Sequence, residues 1–232
     1  MSPVLAIEGL GKGFTLHLQG GLSFPVLRGE TLALMPGECV ALAGPSGAGK
    51  STLLRCVAGN YGASEGRILI RHRGAMHDLA AADARLMREI RAETLGHVSQ
   101  FLRVIPRVPA LDIVAAPLLA RGAGRAEARA RAAALLARLN LPERLHHLPP
   151  ATFSGGEQQR VNLARGFIVP NTVLLLDEPT ASLDARNREV VAALIAEAKR
   201  AGTAILGIFH DTEVRDRVAD RLHAVEPLEP AA

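Results

Sequence analysis

The chain has 232 residues, 48% of them apolar, enough for one domain with its own core. The formal charge of +4 arises from arginines scattered among alanines. With no Trp and a single Tyr to stack on bases, this argues against a nucleic-acid face and leaves an acidic protein partner compatible. No apolar run reaches the ~20 residues that span a bilayer, so direct membrane insertion is not expected.

Met1–Leu5 lacks the charged and apolar regions of a signal peptide. Cys39 and Cys56 lack metal-ligand spacing and fall in apolar segments; free thiols in a reducing cytoplasm are the expectation.

Val4–Leu10 and Phe14–Leu18 read as strands, with Gly11 and Gly13 as the turn between them. Thr31–Leu34 is a further strand, and Met35-Pro36-Gly37-Glu38 turns into Cys39–Ala43. That continuous apolar run suits a strand buried on both faces. It leads into Gly44-Pro45-Ser46-Gly47-Ala48-Gly49-Lys50-Ser51-Thr52, which matches G-x-x-x-x-G-K-[S/T] at every fixed position. A helix from Ser51 to Ala58 follows, ended by Gly59.

Strand, loop and helix in that order give the motif its meaning. Glycines let the backbone close round a phosphate, and successive N–H groups with the helix N-terminus form an anion cradle. Lys50 then reaches the β- and γ-phosphates and the Ser51 hydroxyl ligates magnesium. The chain is expected to bind a nucleoside triphosphate. Phe14 is a candidate to stack on adenine, Phe24 is its rival, and ordinary core packing is the alternative for Phe14.

Glu65–Ile70 alternates toward a strand, Arg71–Asp78 suggests an exposed hairpin, and Ala80–Glu93 a helix. Gly96-His97-Val98-Ser99-Gln100 is a short strand with a polar end. Gln100 is either a surface amide or a group placed to reach magnesium and the attacking water. From Phe101 to Pro150 the texture changes to Ala/Leu-rich helices punctuated by Pro106, Pro109, Pro117 and Pro142. Within Arg125–Leu139, residues Ala132, Leu135, Leu136 and Leu139 share a face. Residues from about 101 to 165 read as a helical lobe inserted in an α/β core.

Ser154-Gly155-Gly156-Glu157-Gln158 opens the next helix and offers a second anion cradle. Val173–Leu176 is an apolar strand closing in Asp177-Glu178: Asp177 to hold magnesium, Glu178 to orient and deprotonate the attacking water. Ala181-Ser182-Leu183-Asp184 caps a helix from Ala185 to Arg200, with Val190, Val191, Leu194, Ile195 and Ala198 as its core face. Ala204–Phe209 is another buried strand, ending at His210. A lone His is usually structural; at the C-terminal end of a parallel strand it is a candidate γ-phosphate sensor. Ala219–Val225 reads as a last short strand before a Pro/Glu tail.

The order of these pieces resembles the ATP-binding cassette (ABC) ATPases across essentially the whole chain. The resemblance implies an α/β P-loop NTPase over residues 1–232, with a mixed, largely parallel core sheet, an antiparallel β subdomain and the inserted helical lobe. It implies a Walker A motif at Gly44–Thr52, a Q-loop at Gln100, a signature at Ser154–Gln158, Walker B at Val173–Glu178, a D-loop at Ser182–Asp184 and a switch histidine at His210. Phe14 stands where the adenine-stacking residue is usually tyrosine, and Phe153 where leucine is common before the signature. ATP and Mg2+ are the implied cofactors. The implied assembly is a head-to-tail dimer in which Lys50, Ser51, Gln100, Asp177, Glu178 and His210 of one subunit face Ser154, Gly155 and Gly156 of the other. Glu157, Gln158 and Asp184 complete the nucleotide-binding set.

A narrower resemblance rests on Val98–Arg107, Ala164–Val169, Gly207–Asp211, Ala58-Gly59-Asn60-Tyr61 and Val218–His223. These segments are similar to the L-protein family of the bacterial carbon–phosphorus lyase system. That implies a cytoplasmic subunit of a phosphonate-degrading assembly with a second ABC ATPase. Its ATPase would support formation of ribose 1-methylphosphonate 5-triphosphate from methylphosphonate and ATP. The alternative is the nucleotide-binding subunit of a membrane transporter, of lipoprotein-export or phosphonate-import type. Either partner is expected to dock beside Gln100, with Arg103 and Arg107 on the docking face.

Overall fold

The computed structural model describes residues 2–16, 22–102 and 104–228. Two sheets organise the chain. The first is antiparallel, built from β1 (Leu5–Leu16), β2 (Leu22–Leu34), β4 (Glu65–His72) and β5 (Ala75–Asp78) in the order β2-β1-β4-β5. The second comprises β3 (Cys39–Ala43), β6 (Leu95–Val98), β7 (Val173–Asp177), β8 (Ala204–Ile208) and β9 (Arg221–Ala224), ordered β6-β7-β8-β3-β9 with every pairing parallel. This is the P-loop NTPase fold of the ABC type, with parallel and antiparallel sheets combined.

The period-two alternation of the parallel strands divides the core. Cys39, Ala41, Leu174, Leu176 and Ile205 join one apolar cluster, with Val114 of α3 (Ala110–Ala120), Leu136 of α4 (Arg125–Arg138), Leu163 of α6 (Gly155–Phe167) and Ile195 of α7 (Ala185–Arg200). Val40, Leu42, Val173, Leu175 and Leu206 join the other, with Leu53 and Leu54 of α1 (Lys50–Val57) and Ile7 and Ile68 of the antiparallel sheet. The fully buried Leu53 and Leu54 each contribute about 1.5–3 kcal/mol, seating α1 and the loop before it against the sheet. The short α5 (Glu143–His146) joins α3 and α4 in the helical region.

Several boundaries differ from the sequence reading. β1 runs unbroken through Gly11 and Gly13. Its register against β2 shifts between Ile7 and Leu10, Leu10 and Lys12, and Lys12 and Gly13, so the glycines relieve bulges and do not end a strand. β2 starts at Leu22, well before Thr31, and tolerates Pro25 because it lies at the sheet edge. α2 (Ala84–Glu93) begins four residues after Ala80, where the Asp83 carboxylate accepts from Leu86 N at 2.7 Å. Pro117 lies inside α3, which continues to Ala120. The residues around Leu18, Arg103 and the end of the tail lie outside the described ones.

Among the described residues no helix is long and apolar enough to cross a membrane. Burial pushes the Cys39 thiol up to about 12 and the Cys56 thiol up to about 11, so both stay protonated and inert near neutral pH.

Candidate active site

The phosphate loop leaves the C-terminal end of β3, where ligands bind in open α/β sheets. Its backbone admits only glycine at two points. At Gly44 (φ +141°) a Cβ would lie 2.3 Å from Val225 O, and at Gly49 (φ +100°) 2.7 Å from Leu27 Cδ2. Gly49 caps α1 without any side-chain bond to the first turn, leaving its N–H groups directed at the loop. Lys50 Nζ donates to Gly44 O and Pro45 O, both at 2.7 Å, and Ala48 N donates to Pro45 O at 3.3 Å. The ammonium thus braces the loop with bonds that an incoming phosphate can replace. Ser46, Gly47, Gly49, Lys50, Ser51 and Thr52 line a cleft of about 230 Å3 with Glu178 and His210.

Glu178 lines this cleft, and Asp177 lines the neighbouring one that reaches Gln100. Asp177 is the last residue of β7 and 5% exposed. Its Oδ1 is buried without a hydrogen-bond partner among the described residues. Burial, and secondly the neighbouring Glu178, hold this carboxyl above the usual carboxylate range. An orphaned, desolvated carboxylate oxygen is a fit place for a cation, so Asp177 and the Ser51 hydroxyl suit magnesium chemically.

Glu178 follows with φ +51°, a left-handed conformation unusual for a non-glycine residue, held by Glu178 N donating to Ile208 O at 3.0 Å. Its carboxylate makes two contacts. Gln100 Nε2 donates to Glu178 Oε2 at 3.2 Å, and His210 Nε2 lies 2.9 Å from Glu178 Oε1. Gln100 and His210 lie two residues beyond β6 and β8, so three parallel strands deliver one cluster.

The residues at 154–158 and Asp184 do not line the Lys50 cleft. Ser154 caps α6 in a reciprocal capping box: its Oγ accepts from Glu157 N at 3.3 Å, and Ser154 N donates to Glu157 Oε2 at 2.8 Å. The hydroxyl also donates to Glu157 Oε2 at 2.8 Å, so its proton is already engaged. Those bonds, the backbone one first, hold the Glu157 carboxyl below its ordinary range. Gln158 Nε2 donates to Phe153 O. Gly155 and Gly156 open the helix, and a Cβ on Gly156 would meet Ser182 O at 2.8 Å. The two motifs therefore pack backbone to backbone. Asp184 caps α7, accepting from Asn187 N and Nδ2 at 2.8 Å each, and its carboxyl is held low chiefly by the backbone bond.

Phe14 pairs with Phe24 across β1 and β2, and Tyr61 meets its ring edge-on at 5.2 Å between centroids. Neither Phe lines the phosphate cleft. Sequence reasoning missed Gln159 and Asn162, both buried on α6. Gln159 Nε2 donates to Pro179 O at 3.1 Å, and Asn162 Nδ2 to Ser99 O at 2.6 Å, fastening the segments after Glu178 and before Gln100. Two amides three residues apart on an otherwise apolar helix face were the available signal.

Comparison with known proteins agrees with this architecture. The profile described as ABC transporter matches residues 27–181. The chain is 41% identical over 225 residues to the lipoprotein-releasing system ATP-binding protein LolD 2 of Caulobacter vibrioides, covering 97% of this chain and 95% of that one. It is 40% identical over 212 residues to the macrolide export ATP-binding/permease protein MacB of Wolinella succinogenes, covering 91% of this chain but 32% of that one. The chain thus spans about a third of its MacB relatives and nearly all of its LolD relatives. Among solved structures, the dimeric post-hydrolysis state of the ATP-binding cassette MJ0796 with ADP and Pi aligns at TM-score 0.85 and 29% identity, covering 96% of this chain and 94% of that one. A dimeric structure of MJ0796, described as a bacterial ABC transporter cassette, aligns at TM-score 0.85 and 28% identity, covering 98% and 100%. With its phosphate loop, strand-end acids and Gly-Gly helix start in this arrangement, the chain belongs to the ABC transporter family as an ATP-binding, ATPase-type domain.

Proposed function

We propose that this chain hydrolyses ATP as one half of a head-to-tail dimer and drives a membrane-transporter partner docked beside Gln100. The observation that carries the ATPase is the convergence of Gln100 and His210 on the strained Glu178, across one cleft from Lys50 and Ser51. Lys50 and the loop N–H groups bind the phosphates. Asp177 and Ser51 would hold magnesium, which would neutralise phosphate charge. Glu178 takes the proton of the attacking water, and Gln100 and His210 fix its orientation. The Ser154–Gly156 helix start lies apart from the Lys50 cleft, and dimeric relatives such as MJ0796 support a second subunit supplying it.

The partner is argued from the surface and the relatives. Phe101 is 76% exposed and Ile105 54%, two apolar side chains within five residues after Gln100. Arg55, Arg91 and Arg165 line the adjoining cleft of about 800 Å3 that also reaches Gln100 and Asp177. A partner segment seated there would contact groups that sense the nucleotide. Arg107 is exposed nearby; Arg103 lies outside the described residues. The LolD and MacB names support a transporter, and the reading places this chain at the cytoplasmic face of its membrane, where ATP is supplied. The phosphonate-lyase assembly is the second reading, resting on the segments around Val98–Arg107 and Gly207–Asp211.

Purifying the Glu178→Gln variant with ATP from its native cells tests both. Recovery of a multi-spanning permease supports the transporter, and charge reversal at Arg107 then weakens that recovery. Phosphonate enzymes together with a second ABC ATPase would replace it with the lyase reading.

A further inference from the structure

Arg188, in the first turn of α7, belongs to none of the motifs above, yet its side chain joins two of them. Its Nε donates to Leu183 O at 3.1 Å, and its Nη1 lies 2.8 Å from Asp211 Oδ2. Leu183 stands between Ser182 and Asp184 in the loop that packs on Gly156, and Asp211 directly follows His210. The other carboxylate oxygen of Asp211 accepts from Val214 N at 3.1 Å and caps α8 (Thr212–Val218), so Asp211 is anchored at both oxygens.

These contacts close a ring. From Glu178 the chain turns through Ala181 N donating to Glu178 O and Leu183 N donating to Thr180 O, with Ser182 in a left-handed conformation at φ +62°. From the Leu183 carbonyl the ring crosses Arg188 to Asp211, passes to His210, and returns through the 2.9 Å contact to Glu178. A single planar guanidinium bridges a backbone carbonyl and a carboxylate, a geometry that no compact ammonium reproduces at both ends. Half-exposed, such an ion pair adds little to global stability, so its effect is on position.

We propose that Arg188 is a positioning residue for hydrolysis: it locks His210 against Glu178 and ties that pair to the Ser182–Gly156 contact. The loop that meets the Gly-Gly helix start and the residue that steadies the base then move as one body. Engagement of that helix start by a second subunit's nucleotide is thereby transmitted to this subunit's own base. The proposal rests on the ATP-hydrolysing dimer argued above.

Wild-type turnover is measured first, and an inactive wild type overturns the dimeric ATPase reading and this one together. With an active wild type, Arg188→Ala should lower kcat by roughly 10-fold while KM and the Kd for ATP stay within about twofold. Arg188→Lys, which keeps one of the two bonds, should recover part of the loss. Asp211→Asn keeps the α8 cap oxygen but weakens the ion pair; it should match Arg188→Ala, and the double variant should be no slower than either. Unchanged kcat in Arg188→Ala, additive losses in the double variant, or a kcat loss matched by collapse of both thermal melting and ATP binding would each overturn the assignment while leaving the ATPase reading in place.

Discussion

His210 Nε2 lies 2.9 Å from Glu178 Oε1, although the His210 side chain is 72% exposed and that of Glu178 only 19%. An exposed ring thus latches a mostly enclosed carboxylate from the solvent side, and Gln100 holds its other oxygen from within. His210→Ala should therefore leave ATP binding near wild type while turnover falls by roughly 10²-fold, the scale of a misplaced catalytic group. Equilibrium ATP titration beside steady-state hydrolysis checks this. Weakened binding with normal turnover would move His210 out of the latch role.

Lys50 should show the reverse emphasis. Its ammonium donates to the neutral carbonyls Gly44 O and Pro45 O, and exchanging them for phosphate oxygens gives bonds charged at both ends. Lys50→Ala should weaken ATP affinity by about 1.5–3 kcal/mol, roughly 10- to 100-fold in Kd, measurable by calorimetric titration.

Asp177 carries a conflict that only a bound cation resolves. Burial and the adjacent Glu178 raise its carboxyl, and its Oδ1 has no hydrogen-bond partner among the described residues. Asp177→Asn removes the buried charge and should stabilise the metal-free, nucleotide-free protein by about 1 kcal/mol, ~2–4 °C in melting temperature. The same change should abolish magnesium-dependent turnover. A lowered melting temperature would show that the charge is compensated.

In the proposed dimer Glu157 would place a carboxylate on the face offered to a second subunit's nucleotide, and it accepts the Ser154 hydroxyl proton. Glutamine is equally suited to the third position of a capping box, so Glu157→Gln keeps the helix start while removing the charge. The variant should dimerise at several-fold lower ATP concentration and lose about 0.3–1 kcal/mol of helix-dipole stabilisation. Sedimentation velocity across an ATP series reads the first effect and thermal melting the second.

Legibility in the sequence followed how local each requirement is. The phosphate loop could be read because its glycines and Lys50 form one contiguous motif serving one ligand group, although the close approaches of Val225 and Leu27 to Gly44 and Gly49 were not visible. β7 and α7 could be read because burial on two faces or one stripe imposes a period on neighbours. The strands of β1 and the end of β2 could be read, but their continuity and the start of β2 could not, since bulges around Gly9–Gly13 are set by the partner strand and glycine in isolation signals a turn equally well. The pairing of Phe14 with Phe24 depends on that same register. The left-handed Glu178 and the buried Gln159 and Asn162 answer to contacts 19 to 78 residues away; the spacing of the two amides marks them as buried, but no local pattern names their partners.

The most direct measurement is ATP turnover and assembly state of Glu178→Gln. The amide keeps the shape and the contacts to Gln100 and His210 but cannot accept the proton of the attacking water. The account predicts ATP binding close to wild type, hydrolysis reduced by ~10²-fold or more, and accumulation of an ATP-bound dimer. Undiminished turnover, or a protein that stays monomeric with saturating ATP, would contradict it.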